Sequence, residues 1–164
     1  MGDYEQHGNT AAMRRGRLVT AACHLIAADE PLGHGWEERH PECQPYLAAY
    51  RKFLGEHDFI LLEAEREYRC EALRFISHPD QIGKLDGQSP IDLELKSGSM
   101  PSWCRLQTAG QVLAIGAPAM RRFALHLKAD GAYALIPHDE FRDLDCFRSL
   151  VQAYWIIQDF RGAA

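Results

Sequence analysis

The fold of this chain is decided by residues 91–96, whose sequence is IDLELK. Apolar residues alternate here with Asp92, Glu94 and Lys96. Side chains on a β-strand point to opposite faces with a period of two. The pattern therefore predicts a strand with one apolar face toward a core and one face that carries two acids and a lysine. Charged residues that share a strand face pair with one another, are solvated, or serve a function.

A further acid precedes this strand across a predicted turn. Asp86-Gly87 is a dipeptide typical of tight β-hairpins, and it lies between two predicted strands. The hairpin returns the chain so that Asp80, before the first strand, comes close to Glu94 and Lys96. The sequence therefore predicts that two carboxylates and a lysine converge.

Two carboxylates in one place can bind a hard divalent cation. Mg²⁺ takes oxygen ligands, usually one or two carboxylates with waters and substrate phosphate oxygens. Asp80 and Glu94 are the predicted ligands, together with the backbone carbonyl of Leu95, and an all-oxygen set favours Mg²⁺ or Mn²⁺ over zinc. A bound cation polarises a phosphate and lowers the pKa of a bound water. Lys96 is predicted to orient that water or to stabilise the developing negative charge.

The order of these residues resembles the core of the PD-(D/E)XK nuclease superfamily, in its RecB-like and phage-encoded exonuclease-like branch. That core has an acid after a turn, a D/E-x-K strand followed by a small residue and glycine, and a helix with a glutamine. The matching segments here are Pro79-Asp80, residues 94–98 (ELKSG) and Gln107. The resemblance extends from about Arg15 to Phe160.

The resemblance implies a metal-dependent DNA nuclease, of the exonuclease type, that uses Mg²⁺ or Mn²⁺. The residues implied in catalysis are Asp80, Glu94, Lys96 and Gln107. Those implied in metal binding are Asp80, Glu94, Leu95 and Glu65, the last because the family has a glutamate on the preceding strand. The predicted substrate contacts are Arg105 (close to Gln107), Gln111 and His78 (before Pro79).

Two positions depart from the family pattern. Its first helix often carries a histidine in a pattern like G-x-x-V-H-x-A, whereas residues 16–22 here are GRLVTAA, so Thr20 takes that place. Gln111 replaces the tyrosine of the QxxxY motif. Two alternatives therefore stay open beside the exonuclease: a catalytically weak nuclease-fold protein that binds DNA or a partner, and an endonuclease.

The order of predicted strands and helices indicates an α/β (α+β) fold with a central mixed sheet of about five strands flanked by helices, and the resemblance implies a restriction-endonuclease-like core. The predicted helices span residues 10–28, 41–55, 103–115 and 141–160. The predicted strands span residues 59–69, 70–76, 81–85, 90–96, 123–128 and 132–137. Residues 1–10 are expected to be a flexible tail and residues 11–164 a single domain. The last helix is expected to pack through Val151, Tyr154, Trp155 and Ile157.

The net charge of −5 is unusual for a nucleic-acid binder, which usually has a basic footprint. Bound cations would offset the site carboxylates, and arginines cluster at Arg14-Arg15, Arg17 and Arg121-Arg122. The partners that the resemblance implies are DNA, a second copy of the chain, and a recombination or single-strand-annealing protein.

Five cysteines without C-x-x-C spacing predict free thiols in a reducing compartment and no iron–sulfur cluster. The chain has no apolar run long enough to span a bilayer, and its start does not resemble a signal peptide. These features predict a cytoplasmic protein with no membrane association, and the resemblance implies the cytoplasm of a bacterium or of a phage-infected host.

Overall fold

A mixed five-stranded sheet organises the chain in a computed structural model that describes residues 11–162. The strands are β1 (Phe59–Ala64), β2 (Tyr68–Cys70), β3 (Phe75–Ser77), β4 (Gln81–Leu85), β5 (Ile91–Ser97), β6 (Arg121–Leu127) and β7 (Tyr133–Pro137). The main sheet has the order β1-β4-β5-β6-β7, with β5 and β6 parallel and the other neighbours antiparallel. The predicted α/β class with a mixed sheet is confirmed; the predicted tail at residues 1–10 lies outside the described residues.

Helices cover both faces of this sheet. They are α1 (Ala11–Ala27), α2 (Trp36–Arg39), α3 (Gln44–Glu56), α4 (Cys104–Ile115) and α5 (Arg142–Gly162), with a 3₁₀ turn at Pro41–Cys43. α1 and α3 pack on one face. α4 covers the other face and connects β5 to β6, because parallel neighbours require a crossover. α5 packs outside α4.

The main apolar core lies between the sheet and the α1–α3 layer. Ile91, Leu93 and Leu95 of β5 are fully or nearly fully buried there, which confirms the apolar half of the alternation. The side chains that meet them include Val19, Leu47, Tyr50, Phe53, Phe123 and Leu125. Burying one such side chain contributes roughly 1.5–3 kcal/mol, so this face supplies most of the apolar stabilisation.

The opposite face of the sheet holds a smaller apolar cluster and several buried polar groups. Ala109 and Val112 of α4 pack on Leu144 of α5. Gly110 permits this close approach, because a Cβ there would lie 2.5 Å from the Phe147 ring. The charged residues of β5 face α4, and the structure buries two of them instead of leaving them in solvent.

The single strand predicted over residues 59–69 is divided in the structure: residues 59–64 form β1, residues 65–67 are not in a strand, and Tyr68 and Arg69 belong to β2. Glu65 has a left-handed backbone with φ of 52° and ends β1. The chain then forms a separate hairpin of β2 and β3, so the predicted continuation of the sheet over residues 70–76 is also wrong. The tight turn predicted at Asp86-Gly87 is confirmed, with left-handed backbone at both residues.

The expectation that Tyr154 and Ile157 pack on the core is wrong, because both are more than half exposed. Neighbours cover only one side of α5: Phe147 meets Phe75 of β3, and the indole of Trp155 donates to the carbonyl of Leu73 at 2.9 Å. The other side of the helix exposes Leu150, Tyr154, Ile156, Ile157 and Phe160.

No helix within residues 11–162 is both long and apolar enough to cross a membrane. All five cysteines are free thiols.

Candidate active site

A cleft of about 790 Å³ opens beside the carboxyl end of β5, between α1 and the loop that enters α4. Five of the residues predicted for the site line it: Glu65, Asp80, Glu94, Leu95 and Lys96. They come from the end of β1, the start of β4 and β5, so separate segments of the chain converge at one place.

Backbone hydrogen bonds fix the two acids that precede β5. The Asp80 carboxylate accepts the N–H of Leu95 at 2.7 Å, which ties the start of β4 to the end of β5. The N–H of Glu65 approaches the carbonyls of Pro79 and Asp80 at 3.1 and 3.3 Å. The left-handed turn at Glu65 therefore holds this glutamate next to Asp80.

Glu94 lies at the centre of the polar face and is only 2% exposed. Its Oε1 accepts from the Lys96 ammonium at 2.6 Å and from the Gln107 amide at 2.7 Å. Its Oε2 accepts from the Gln111 amide at 2.6 Å. Gln107 also accepts from Lys96 at 3.0 Å, which closes a triangle of three side chains. Residues four apart on a helix lie on one face, so α4 presents both glutamines to β5.

The surroundings of the cleft raise the pKa of both Asp80 and Lys96, but for different reasons. Burial, and then the negative charge of Glu94, raise the pKa of the Asp80 carboxyl well above its ordinary value, against the Leu95 N–H and Lys96. Burial acts to lower the pKa of the Lys96 ammonium, but the charge and hydrogen bond of Glu94 outweigh it and the net direction is upward. Lys96 is therefore protonated at neutral pH.

His24 is a member of the site that the sequence analysis missed. It projects from α1 into the cleft, and its Nε2 is buried without a hydrogen-bond partner. Burial lowers the pKa of the imidazole, against the charge of Glu65 and a backbone hydrogen bond with Asp80. The ring is therefore neutral at neutral pH and close to both acids.

His24 lies one helical turn after Thr20, the position at which the family pattern that the sequence resembles has a histidine. Thr20 and His24 are four residues apart on α1 and both line the cleft. The site thus has a histidine one helical turn later than the family pattern places it. The i, i+4 spacing from Thr20 was the signal in the sequence that could have found it.

The three predicted substrate contacts do not line this cleft. Gln111 is 1% exposed and bonded to Glu94, so it orients that carboxylate and is not open to a substrate. The Arg105 guanidinium pairs with Asp143 at the start of α5, at 3.2 Å. His78 is half-exposed, with its Nε2 3.5 Å from Glu67.

Asp92 is completely buried behind the site, and both its carboxyl oxygens lack a hydrogen-bond partner. Burial, then the charges of Glu94 and Asp80, raise its pKa well above the ordinary value, and only Arg122 on the adjacent strand opposes this. Arg122 itself is held elsewhere, because it donates to the Arg105 carbonyl at 2.9 Å and lies 3.6 Å from Asp143.

The donor set fits a divalent cation. The surroundings of the partly buried Asp80 carboxyl raise its pKa and so the cost of ionising it, and a cation would offset that cost. The unpartnered Nε2 of His24 is a further donor. Within residues 11–162, no three His, Cys, Asp or Glu side chains form a complete ligand group by themselves. Mg²⁺ commonly needs only one or two carboxylates, with waters and substrate oxygens completing its shell.

No protein-family model matches the chain, and no curated protein is significantly similar to it. The chemistry of the cleft is therefore the basis on which a function can be assigned.

Proposed function

We propose that this protein is a divalent-metal-dependent nuclease that hydrolyses phosphodiester bonds in DNA. The observation that carries the proposal is the convergence of Asp80, Glu94 and Lys96 on one cleft, with Gln107 bonded to both members of the Glu94–Lys96 pair. The resemblance to PD-(D/E)XK nucleases implies this arrangement. Its acid and lysine on the E-x-K strand are Glu94 and Lys96, and its acid across the hairpin is Asp80.

Asp80, Glu94 and the Leu95 carbonyl are the proposed ligands of Mg²⁺ or Mn²⁺, with Glu65 and His24 at the edge of the site. When bound, the cation supplies charge neutralisation for the phosphate and a water of lowered pKa. The neutral His24 imidazole offers an unpartnered nitrogen on the same cleft, where it can bind the cation or accept a proton.

Lys96 acts as a hydrogen-bond donor in this proposal. Its raised pKa keeps the ammonium protonated, so it is suited to stabilise negative charge on the phosphate and not to remove a proton. Gln107 holds the ammonium at 3.0 Å, and Glu94 holds it at 2.6 Å. The side chain of Lys96 keeps 19% exposure, which leaves it accessible from the cleft.

The test is digestion of end-labelled linear DNA, single-stranded and duplex, in Mg²⁺ and in Mn²⁺. The parent should degrade DNA, chelation should stop it, and Glu94→Gln or Lys96→Met should lower the rate about a thousandfold or more. Glu71→Gln is the matched control, because Glu71 is an exposed acid outside the cleft. Intact DNA in all conditions, or equal cutting by Glu94→Gln, would contradict the proposal.

Closed-circular DNA separates the two nuclease types. An exonuclease requires an end and leaves the closed circle intact, whereas an endonuclease cuts it. We propose the exonuclease type, as the resemblance implies, and cutting of the closed circle would reassign the protein to the endonuclease type.

A second candidate is an accessory protein that binds DNA or a protein partner with little catalysis. The exposed apolar side of α5 favours it, because large apolar patches commonly mark interaction surfaces. Calorimetry with Mg²⁺ and Mn²⁺ discriminates the two. Metal binding that Asp80→Asn abolishes supports the nuclease, and no binding by the parent supports the accessory protein.

A further inference from the structure

We propose that the cleft accepts a single-stranded polynucleotide, and that an unpaired base of this strand stacks on the indole of Trp103. This choice of substrate class rests on the proposed function. Trp103 lies in the loop before α4 and lines the same cleft as Asp80, Glu94 and Lys96.

Trp103 is exposed in a way that the other tryptophans are not. It is 57% exposed, whereas Trp36 packs on the main core and against His40, and Trp155 is hydrogen-bonded to Leu73. A large indole that is this exposed and lines the cleft provides a flat surface for another ring system. Stacking of a nucleic-acid base on an aromatic side chain is the common use of such a surface.

The position of the ring connects it directly to the catalytic lysine. The Lys96 ammonium lies 5.8 Å from the centroid of the Trp103 ring and 2.6 Å from Glu94. A base on this ring therefore belongs to a nucleotide next to the phosphate that Lys96 contacts. The cleft volume of about 790 Å³ is within the range of clefts that hold small organic ligands.

Base stacking on Trp103 selects against intact duplex. Inside a duplex, neighbouring bases cover both faces of each base, so a side chain reaches a face only at an open end or where the base is unpaired. Sequence-independent stacking combined with backbone contacts is typical of proteins that bind single strands. The geometry therefore favours a single strand or a frayed end over continuous duplex.

Basic groups suited to the phosphates lie along the first turns of α1. Arg17 lines the cleft itself, and Arg14 and Arg15 line a neighbouring cleft of about 800 Å³. Arg39 and His40 also line that second cleft, together with one acid, Glu42. The four arginines provide a local basic path in a chain whose net charge is −5.

The experiment measures binding without cleavage, by anisotropy of a labelled oligothymidylate in Ca²⁺. The same strand with abasic sites keeps every phosphate and lacks the bases. The parent should bind the oligothymidylate about 5- to 150-fold more tightly than the abasic strand, the range expected for one stacked base. Trp103→Ala should bind both strands with equal, lower affinity, and Trp103→Phe should keep most of the preference.

Two controls complete the test. Tyr154→Ala removes an exposed aromatic residue of α5 that does not line the cleft, and its binding should equal that of the parent. A duplex closed by hairpins at both ends should bind more weakly than the single strand. Equal affinity of the parent for closed duplex and single strand, no binding at all, or an unchanged preference for bases in Trp103→Ala would overturn the proposal.

Binding and cutting are measured separately, so failure of the stacking proposal can be distinguished from failure of the nuclease proposal. Base-dependent binding through Trp103 in a parent that cuts no DNA would support the stacking surface and contradict the nuclease. Metal-dependent cutting that Trp103→Ala leaves unchanged, with unchanged binding, would support the nuclease and contradict the stacking surface.

Discussion

The two faces of β5 are both buried but are held by different interactions. On the α1–α3 side, Ile91, Leu93 and Leu95 pack in the main apolar core. On the α4 side, Glu94 is held by three charged or amide donors, and Asp92 has no hydrogen-bond partner. Burial of apolar groups stabilises the fold, whereas burial of carboxylates costs free energy unless they are paired or neutralised. The comparison indicates that one face stabilises the fold, and the other face holds the residues to which we assign the proposed chemistry.

Substitutions on neighbouring residues of β5 test this division most strongly. Leu93→Ala should lower the free energy of unfolding by about 2–5 kcal/mol, because it leaves a cavity in the apolar core. Its DNA hydrolysis per folded molecule should be close to that of the parent. Urea unfolding and activity below the unfolding transition measure the two effects.

Glu94→Gln is the matched substitution on the other face. It should lower the rate of hydrolysis about a thousandfold or more. It should leave the free energy of unfolding within about 1–2 kcal/mol of the parent, because it removes a buried charge but retains the shape of the side chain. A loss of hydrolysis in folded Leu93→Ala, or unfolding of Glu94→Gln, would show that the two faces are not separable.

The two glutamines of α4 contact different groups on the polar face of β5. Gln107 bonds to both Lys96 and Glu94, whereas Gln111 bonds to Glu94 alone. Gln107→Leu should lower the hydrolysis rate about 10- to 100-fold, as is typical when a group that orients a catalytic residue is removed. Gln111→Leu should have a smaller effect on the rate at saturating Mg²⁺, since it leaves Lys96 in place. Equal rates for the two variants would contradict a role for the Gln107–Lys96 contact.

The buried Asp92 carboxyl on the polar face should make the free energy of unfolding depend on pH. Its pKa is raised in the folded protein, so the folded state binds the proton more tightly than the unfolded chain does. The associated stabilisation is complete below the unfolded-state pKa of about 3.9 and is lost as the pH rises through the raised value.

Asp92→Asn does not titrate at this position, so its stability should fall less with rising pH. The difference from the parent should grow by about 1.4 kcal/mol for each pH unit between the two pKa values. Denaturant unfolding at a series of pH values measures it, and parallel stability curves for the two proteins would contradict the raised pKa.

The smallest effect is expected at the outer edge of the polar face. Arg105→Ala should cost less than about 1 kcal/mol of stability, because its side chain is 54% exposed and Asp143 also lies 3.6 Å from Arg122. Hydrolysis and oligonucleotide affinity should be unchanged. A tenfold fall in affinity would instead restore Arg105 as the substrate contact that the sequence predicted.

Much of this architecture could be predicted because it depends on local rules. The period-two alternation of residues 91–96 gave the two faces of β5, and Asp86-Gly87 gave the turn that brings Asp80 to Leu95. The spacing of Gln107 and Gln111 placed both amides on one face of α4. Such patterns result from strand and helix geometry, which is the same in any protein.

Other features were mispredicted because they depend on which elements become neighbours. The left-handed turn at Glu65 divides a stretch that resembles one continuous strand. The apolar residues of the last helix were expected to pack inward, but only the side that meets α4 and the β2–β3 hairpin is covered. Helical periodicity locates an apolar side but does not show whether a partner element covers it.

The sequence by itself determined the alternation of β5, the hairpin before it and the mixed α/β class, since side-chain direction and turn preference are local properties of the backbone. Only the tertiary structure decided that Asp92 is buried, that His24 joins Asp80 and Glu65, and that Trp103 faces the same cleft as Lys96. These arrangements depend on how α1 and α4 pack against the sheet, and long-range packing sets the distances between residues that are far apart in the chain.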